Sequence, residues 1–148
     1  MSKRYSMVNL GLNSLVGREI TKAEINDEKD LVVLRTTAGD LFLKWNGDCC
    51  AHCYLANVSG SENLVGSKIL ELYDQEWITE VNDEENYNVE ESMGTRIKTT
   101  KGYVELESRV EHNGYYGGSI DVTTDEPMDQ YCSPTYDELP PLKPLEDF

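Results

Sequence analysis

The chain has 148 residues, 39% of them hydrophobic, which fits one domain with a modest core and leaves no room for a second full domain. Its formal net charge of −15, from 28 acidic and 13 basic residues, would repel nucleic acid and anionic membranes, so we expect direct binding to neither. No apolar stretch is long enough to span a membrane, and no apolar signal region follows the N-terminus, which predicts a cytoplasmic protein.

Six short segments have the composition and alternation of β-strands. Ala38-Gly39 separates the first two and Lys101-Gly102 separates the last two, so each of these pairs predicts a β-hairpin. The two middle segments predict either a further strand pair or one long bent strand. In chain order the six segments are 31–37, 40–45, 69–73, 77–81, 96–100 and 103–108.

Two short motifs occur twice in the same order. Leu15-Val-Gly-Arg-Glu-Ile20 recurs as Leu64-Val-Gly-Ser-Lys-Ile69, and the turn Thr36-Thr-Ala-Gly39 recurs as Thr99-Thr-Lys-Gly102. This order indicates an internal duplication, in which each half supplies a short helical or turn element, a strand and a hairpin. The alternative is a chance match, because the motifs are short and their separations differ between the halves.

We therefore predict a mainly β fold (β-rich α+β), an antiparallel sheet built from two hairpin-containing pseudo-repeats with short helical elements. The single domain covers 1–123, with pseudo-repeats at about 12–60 and 61–123. All five prolines and many acids lie in the remainder, 124–148, which predicts an extended acidic, Pro-rich tail. The tail is either disordered or docked on the domain through its apolar residues, which are Tyr131, Tyr136, Leu139, Leu142 and Phe148.

Negative charge is concentrated in segment 80–91, which has six acids and no base, and in the tail. Such a run usually forms a solvated loop, and acidity that serves only solubility is the plain alternative to a binding role. A strongly acidic surface also attracts proteins with basic grooves, most of which hold nucleic acid. The candidate partner-binding acids are Asp83, Glu84, Glu85, Glu90 and Glu91.

Three cysteines and a histidine crowd into residues 49–53, which is not the spacing of a disulfide framework. Thiolate and imidazole donors suit zinc, which takes four tetrahedral ligands. Adjacent cysteines rarely bind one ion together, so the set needs an outside donor, and His112 of the equivalent loop is the best candidate, ahead of Asp48 or Cys132. The alternative is that the cysteines are packed thiols. The candidate metal ligands are Cys49, Cys50, His52, Cys53 and His112.

Catalysis has little support in the sequence. Cys50 with His112 is the only nucleophile and base that we can pair. No recognised nucleophile signature surrounds them, and two histidines in the chain leave no spare proton carrier, so we predict that the protein is not an enzyme. The glycine-rich loop 113–118 lacks the Lys-Ser/Thr of a phosphate loop and predicts a tight turn with close backbone approach at its glycines. Tyr115 and Tyr116 would then point to opposite faces, one of them as a partner contact.

The loops Gly47-Asp-Cys-Cys-Ala-His52 and Asn113-Gly-Tyr-Tyr-Gly-Gly118, with the doubled Leu-Val-Gly-x-x-Ile element, resemble a family of uncharacterised small proteins common in phages and prophages of bacteria. The resemblance covers roughly residues 12–122. The family pattern has Ser and Trp where this chain has Cys53 and Tyr54, so a ligand role for Cys53 would not be common to its members.

The resemblance implies a phage-like origin, and small acidic phage proteins are often inhibitors of host defence. By this analogy we expect a non-catalytic DNA mimic, an anti-CRISPR protein with a structural zinc, that acts in the cytoplasm of the host bacterial cell. Its partner would be a host protein with a basic nucleic-acid-binding groove, with an RNA-guided CRISPR nuclease favoured. The alternatives are a small metal- or thiol-dependent enzyme using the Cys49–Cys53 loop, or a phage accessory structural module. The sequence does not determine the oligomeric state.

Overall fold

The computed structural model describes residues 11–47, 51–75, 78–83, 88–112, 118–124 and 139–148. In these residues the chain forms ten strands in two antiparallel sheets, with two single-turn 3-10 helices. This confirms the predicted mainly β fold. The strands are β1 (Ile20–Asn26), β2 (Leu31–Thr36), β3 (Gly39–Gly47), β4 (His52–Ser59), β5 (Ile69–Asp74), β6 (Ile78–Asp83), β7 (Asn88–Thr99), β8 (Gly102–His112), β9 (Gly118–Thr124) and β10 (Leu142–Pro144).

The first sheet has the strand order β10-β1-β2-β3-β9, and the second has the order β4-β8-β7-β5. β6 also pairs with β7, on the same edge of that strand as β5. β5 pairs with the second half of β7 and β6 with the first half, so the two follow one another like one long strand interrupted between Asp74 and Ile78. The bent-strand alternative is therefore the correct one.

The two halves of the chain have the same plan and exchange their last strands. β1-β2-β3 in the first half corresponds to β5-β7-β8 in the second. β4, which follows β3, crosses to the second sheet and pairs with β8, while β9, which follows β8, crosses to the first sheet and pairs with β3. Each sheet therefore contains strands from both halves of the chain.

The repeated Leu-Val-Gly-x-x-Ile elements bind each other through reciprocal backbone hydrogen bonds. The Gly17 N–H donates to the Ile69 carbonyl at 2.8 Å, and the equivalent Gly66 N–H donates to the Ile20 carbonyl at 2.7 Å. Both glycines have a positive φ, +86° and +81°, a conformation that residues with a Cβ rarely adopt. This reciprocity supports the predicted pseudo-repeats.

The two repeated turns also have the same hydrogen bonds. The Thr36 hydroxyl donates to the Gly39 carbonyl, and the Thr99 hydroxyl donates to the Gly102 carbonyl at 2.8 Å. Each threonine also accepts a hydrogen bond from the backbone N–H two residues later. Two segments of different sequence context thus fold into one local structure, as their shared Thr-Thr-x-Gly sequence predicts.

The main core lies between the sheets and draws apolar side chains from both. At its centre the indole N–H of Trp45 donates to the Ser108 hydroxyl at 2.7 Å, and both residues are fully buried. They occupy equivalent positions in β3 and β8, six residues after Gly39 and Gly102 respectively. Around this pair pack Leu43, Leu55, Ile97, Val104, Val110 and Val122.

The outer face of the first sheet is covered by the C-terminal segment 139–148. β2 is buried at its first four positions instead of at alternate ones, as a strand with two covered faces should be. Leu139 and Leu142 pack against a second apolar cluster of Leu31, Val33 and Phe42. The docked alternative therefore applies to the end of the tail, whereas Tyr131 and Tyr136 lie outside the described residues.

The same segment joins the two sheets. β10 extends the first sheet by pairing with β1, and Phe148 exchanges two backbone hydrogen bonds of 3.0 Å with Val58 of the second. The Lys29 ammonium lies 4.2 Å from the centre of the Phe148 ring. Asp147 accepts a hydrogen bond of 2.8 Å from the Ser61 N–H, and hydrogen bonding to Ser61 lowers the pKa of this carboxyl. The last ten residues thus form part of the folded unit.

We expect Ser108→Ala to lower the free energy of unfolding by about 1–3 kcal/mol, because the Trp45 N–H would stay buried without an acceptor. Urea denaturation followed by tryptophan fluorescence measures this. Ser59→Ala, which alters an exposed serine of β4, is the control and should change little. Equal unfolding midpoints for the two variants would contradict the role of this hydrogen bond.

Deleting residues 139–148 should lower the free energy of unfolding by about 3 kcal/mol or more, since it exposes the second apolar cluster to water. The deleted chain should also bind a hydrophobic dye that the full chain does not bind. Lys143→Ala is the control within the segment, because that side chain is exposed and its ion pair with Asp27 is long, at 3.9 Å. A deletion variant as stable as the full chain would refute the structural role.

Candidate functional site

The strand ends that flank the two unusual loops and the acidic segment lie at one end of the sheets. Segments 48–50, 84–87 and 113–117 lie outside the described residues, but the strand ends beside them are described. In the first sheet Gly47 pairs with Gly118, and in the second His112 lies beside the start of β7. Gly118 packs so closely on β4 and β8 that an added Cβ would lie 2.8 Å from the Cys53 sulfur. The glycine thus makes room for core side chains, whereas the sequence predicts a close approach of another backbone at Gly117 and Gly118.

The predicted metal ligands do not share one face of the sheet. His52 is exposed on the outer face of the second sheet, with its ring 4.7 Å from the ring of Tyr54. The next residue, Cys53, is buried on the inner face, because successive strand residues point to opposite faces. Cys49 and Cys50 lie outside the described residues.

His112 lies on the inner face and is bound to an acid. Its Nε2 is 2.9 Å from the Glu91 carboxylate, and only 4% of the His112 side chain is exposed. Glu91 faces inward because it pairs with Val110, a core residue of β8. We had predicted Glu91 as part of a partner-binding surface, but its side chain instead belongs to this half-buried pair.

In the described part of the chain no group of three or more His, Cys, Asp or Glu residues could hold a metal ion. His52 is separated from Cys53 and His112 by the thickness of the sheet, so these three donors do not converge. The zinc site therefore stays a prediction that depends on residues beyond those described, which are Asp48, Cys49, Cys50 and Cys132.

Cys53 is a packed thiol rather than a reactive one. Burial raises its pKa to about 12, and the sulfur lies 4.0 Å from the Ser119 carbonyl. The thiol is therefore protonated at neutral pH, whereas nucleophilic attack and metal binding need the thiolate. For this cysteine the interpretation as a small hydrophobic residue fits best.

Of the other acids that we predict as partner contacts, two lie in described strands and two lie outside the described residues. Glu90 faces outward and forms an ion pair of 3.2 Å with Arg109, so its charge is compensated within the sheet. Asp83 ends β6, where it pairs with Asn88. Glu84 and Glu85, like the predicted contacts Tyr115 and Tyr116, lie outside the described residues.

Most cations of the described sheets are paired with acids. The shortest of these ion pairs are Arg35 with Asp40 at 2.6 Å, Lys44 with Asp30 at 2.7 Å and Arg96 with Glu105 at 2.8 Å. By contrast, segments 76–91 and 125–138 together contain 12 of the 28 acids and none of the bases, which leaves 16 acids against 13 bases elsewhere. Nearly all of the excess negative charge is therefore in these two segments.

The outer face of the second sheet is a candidate surface that we do not predict from the sequence. Along β8, outward aromatic and charged side chains alternate with inward core residues. Along β8 the odd-numbered residues face outward, and the pattern was visible in the alternation of segment 103–108. These outward residues are Tyr103, Glu105, Glu107, Arg109 and Glu111.

The family model that matches residues 13–122, more than half of the chain, is described as a domain of unknown function (DUF7448). The chain belongs to the DUF7448 family. No curated protein and no solved structure is similar enough to count as a match. The DUF7448 region begins in the first 3-10 helix and ends in β9, so it covers both pseudo-repeats and leaves out the C-terminal segment 139–148. In the described residues of this DUF7448 protein, no helix has the length and apolar character to cross a membrane.

We expect Cys53 to resist thiol reagents in the folded protein, because its sulfur is buried and protonated. In a Cys49→Ser, Cys50→Ser, Cys132→Ser variant, Cys53 is the only thiol, and Ellman's reagent at pH 8 reports on it alone. Reaction should require a denaturant such as urea. Rapid reaction in buffer would show that Cys53 is accessible and reopen a chemical role for it.

Proposed function

We propose that this DUF7448 protein is a non-catalytic binding protein whose two base-free acidic segments enter a basic nucleic-acid-binding cleft of another protein. The distribution of charge carries the proposal: 12 acids and no base lie in segments 76–91 and 125–138, and of these acids Glu90 and Glu91 are paired within the sheet, while the other residues are nearly balanced. A basic cleft attracts such segments over distances of about 8 Å at physiological salt.

The structure of the scaffold favours a binding role. Ion pairs with acids neutralise most cations of the described sheets, so the scaffold offers few unpaired bases that would oppose attraction to a basic cleft. Both acidic segments are anchored in it, one between β5 and β7 and the other between β9 and the docked C-terminal segment. Anchoring lowers the conformational entropy that a segment loses when it binds.

Two side chains near the candidate thiol site have structural roles, whereas the candidate nucleophile Cys50 lies outside the described residues. His112 is bound to Glu91, and Cys53 has a raised pKa and a buried sulfur. Both observations favour binding over the alternative of a thiol enzyme. An RNA-guided nuclease of a bacterial host, the partner that the phage resemblance implies, is the first target to test, and the site of action would be the host cytoplasm.

We expect Asp83→Asn, Glu84→Gln, Glu85→Gln to weaken binding to such a nuclease about 10- to 100-fold at low salt, since each lost charge contact contributes about 0.5–1 kcal/mol. The matched control is Glu19→Gln, Glu62→Gln, Glu146→Gln, which removes three exposed acids and leaves the same net charge. Competition with labelled target DNA at 50 and 300 mM salt measures both.

Equal weakening by the two triple variants would mean that only net charge matters, and affinity that does not change with salt would contradict an electrostatic mechanism. If the nuclease is not bound at all, affinity capture from bacterial lysate at the same two salt concentrations tests the broader form of the proposal. Partners that elute at high salt and bind nucleic acid are the expected result, and their absence would refute it.

A further inference from the structure

The outer face of the second sheet contains an open groove of about 750 Å³. The corresponding face of the first sheet is covered by the C-terminal segment, so in the described part of the chain this is the sheet face left open. Strands β4, β5, β7 and β8 all contribute to the groove. Its principal lining residues are Asn57, Tyr73, Gly94, Arg96, Tyr103 and Glu107.

Two tyrosines form the aromatic part of the groove. Tyr73 and Tyr103 are each 50% exposed, which is a large apolar area for a side chain in the middle of a sheet face. Tyr73 is the register partner of Arg96, and the Arg96 guanidinium lies 5.5 Å from the centre of the Tyr103 ring. The Tyr103 ring therefore already has a cation partner within the chain, and the half-exposed Tyr73 ring is the aromatic surface that the groove offers to a ligand.

The floor of the groove is the backbone at Gly94. Gly94 pairs with Glu107, and a Cβ at Gly94 would lie 2.7 Å from the oxygen at the end of the Gln75 side chain, which therefore lies over this position. Asn57 donates a hydrogen bond to Glu107 from the opposite side. The groove is thus a shaped depression with aromatic walls and a carboxylate beside its floor.

The lining carries more negative than positive charge. Arg96 is compensated by Glu105 at 2.8 Å, whereas Glu107 has a longer contact of 3.4 Å with Arg109, which Glu90 shares. A ligand that stacks on tyrosine and pairs with a carboxylate must be both flat and cationic. Among protein side chains arginine meets both conditions, because its guanidinium is planar and donates paired hydrogen bonds to carboxylates.

We propose that this groove binds an arginine side chain on an extended basic segment of the partner, with its guanidinium against the Tyr73 ring and paired with Glu107. The inference rests on the proposed function and deepens it. The acidic segments supply long-range attraction to a basic cleft, and the groove binds one arginine side chain at that cleft. The complementary charges of the groove and of a basic segment favour this occupant.

The test uses three synthetic peptides with the full-length protein: Gly-Gly-Arg-Gly-Arg-Gly-Gly, its lysine counterpart and its citrulline counterpart. Binding is measured by two-dimensional NMR titration. The arginine peptide should shift the resonances of Tyr73, Gly94 and Tyr103, the lysine peptide should bind more weakly, and the neutral citrulline peptide should not bind. Citrulline binding equal to arginine binding would overturn the proposal in favour of a neutral ligand.

The variant Tyr73→Leu, Tyr103→Leu keeps the net charge and the apolar area but removes both rings. It should weaken binding of the arginine peptide about tenfold. The control is Tyr54→Leu, on the same sheet face but outside the groove, which should leave the affinity unchanged. Unchanged affinity in the double variant, or occupation of the groove by a second copy of the chain, would overturn the proposal.

Failure of this inference differs from failure of the proposed function. If the nuclease binds with the expected salt dependence but Tyr73→Leu, Tyr103→Leu has no effect on its affinity, the groove is not the arginine site and the function stands. If the arginine peptide binds the groove but no basic-cleft partner is captured, the site stands and the function fails.

Discussion

The exchange of strands between two similar halves is the constraint on which the rest of this structure depends. Each half alone would form a three-stranded sheet with one apolar face and no partner to cover it. Because β4 and β9 cross between the sheets, each sheet contains both halves, and the apolar faces pack against each other. The reciprocal hydrogen bonds of Gly17 with Ile69 and of Gly66 with Ile20 hold the two halves in register.

This arrangement makes the two outer faces different. The first sheet has an apolar outer cluster that the C-terminal segment covers, so β2 is buried on both sides. The outer face of the second sheet is polar, with ion pairs between neighbouring strands and two half-exposed tyrosines. The outer face of the first sheet thus contributes to stability by burying apolar side chains, whereas the outer face of the second sheet is exposed to solvent.

Charged side chains in the strands differ from those in the acidic segments, because strand pairing places acids and bases side by side. In the sheets, opposite charges lie on neighbouring strands and neutralise each other at distances near 3 Å. The acidic segments contain no base of their own, and apart from Glu90 and Glu91, which pair with β8, they hold most of the excess negative charge of the sequence. A partner would be attracted by these segments first and recognised at shorter range by the open sheet face.

Local patterns in the sequence determined the hairpins, the doubled turns and the apolar residues that dock the tail, because periodicity, glycine position and hydrophobicity act over a few neighbouring residues. Only the tertiary structure decided which residues that are clustered in the sequence are also in contact in space. His52 and Cys53 are adjacent in sequence yet lie on opposite faces, and Glu91, which looked like surface, is paired with His112. Strand alternation sends neighbours apart, while strand pairing joins residues distant in sequence, such as Trp45 and Ser108.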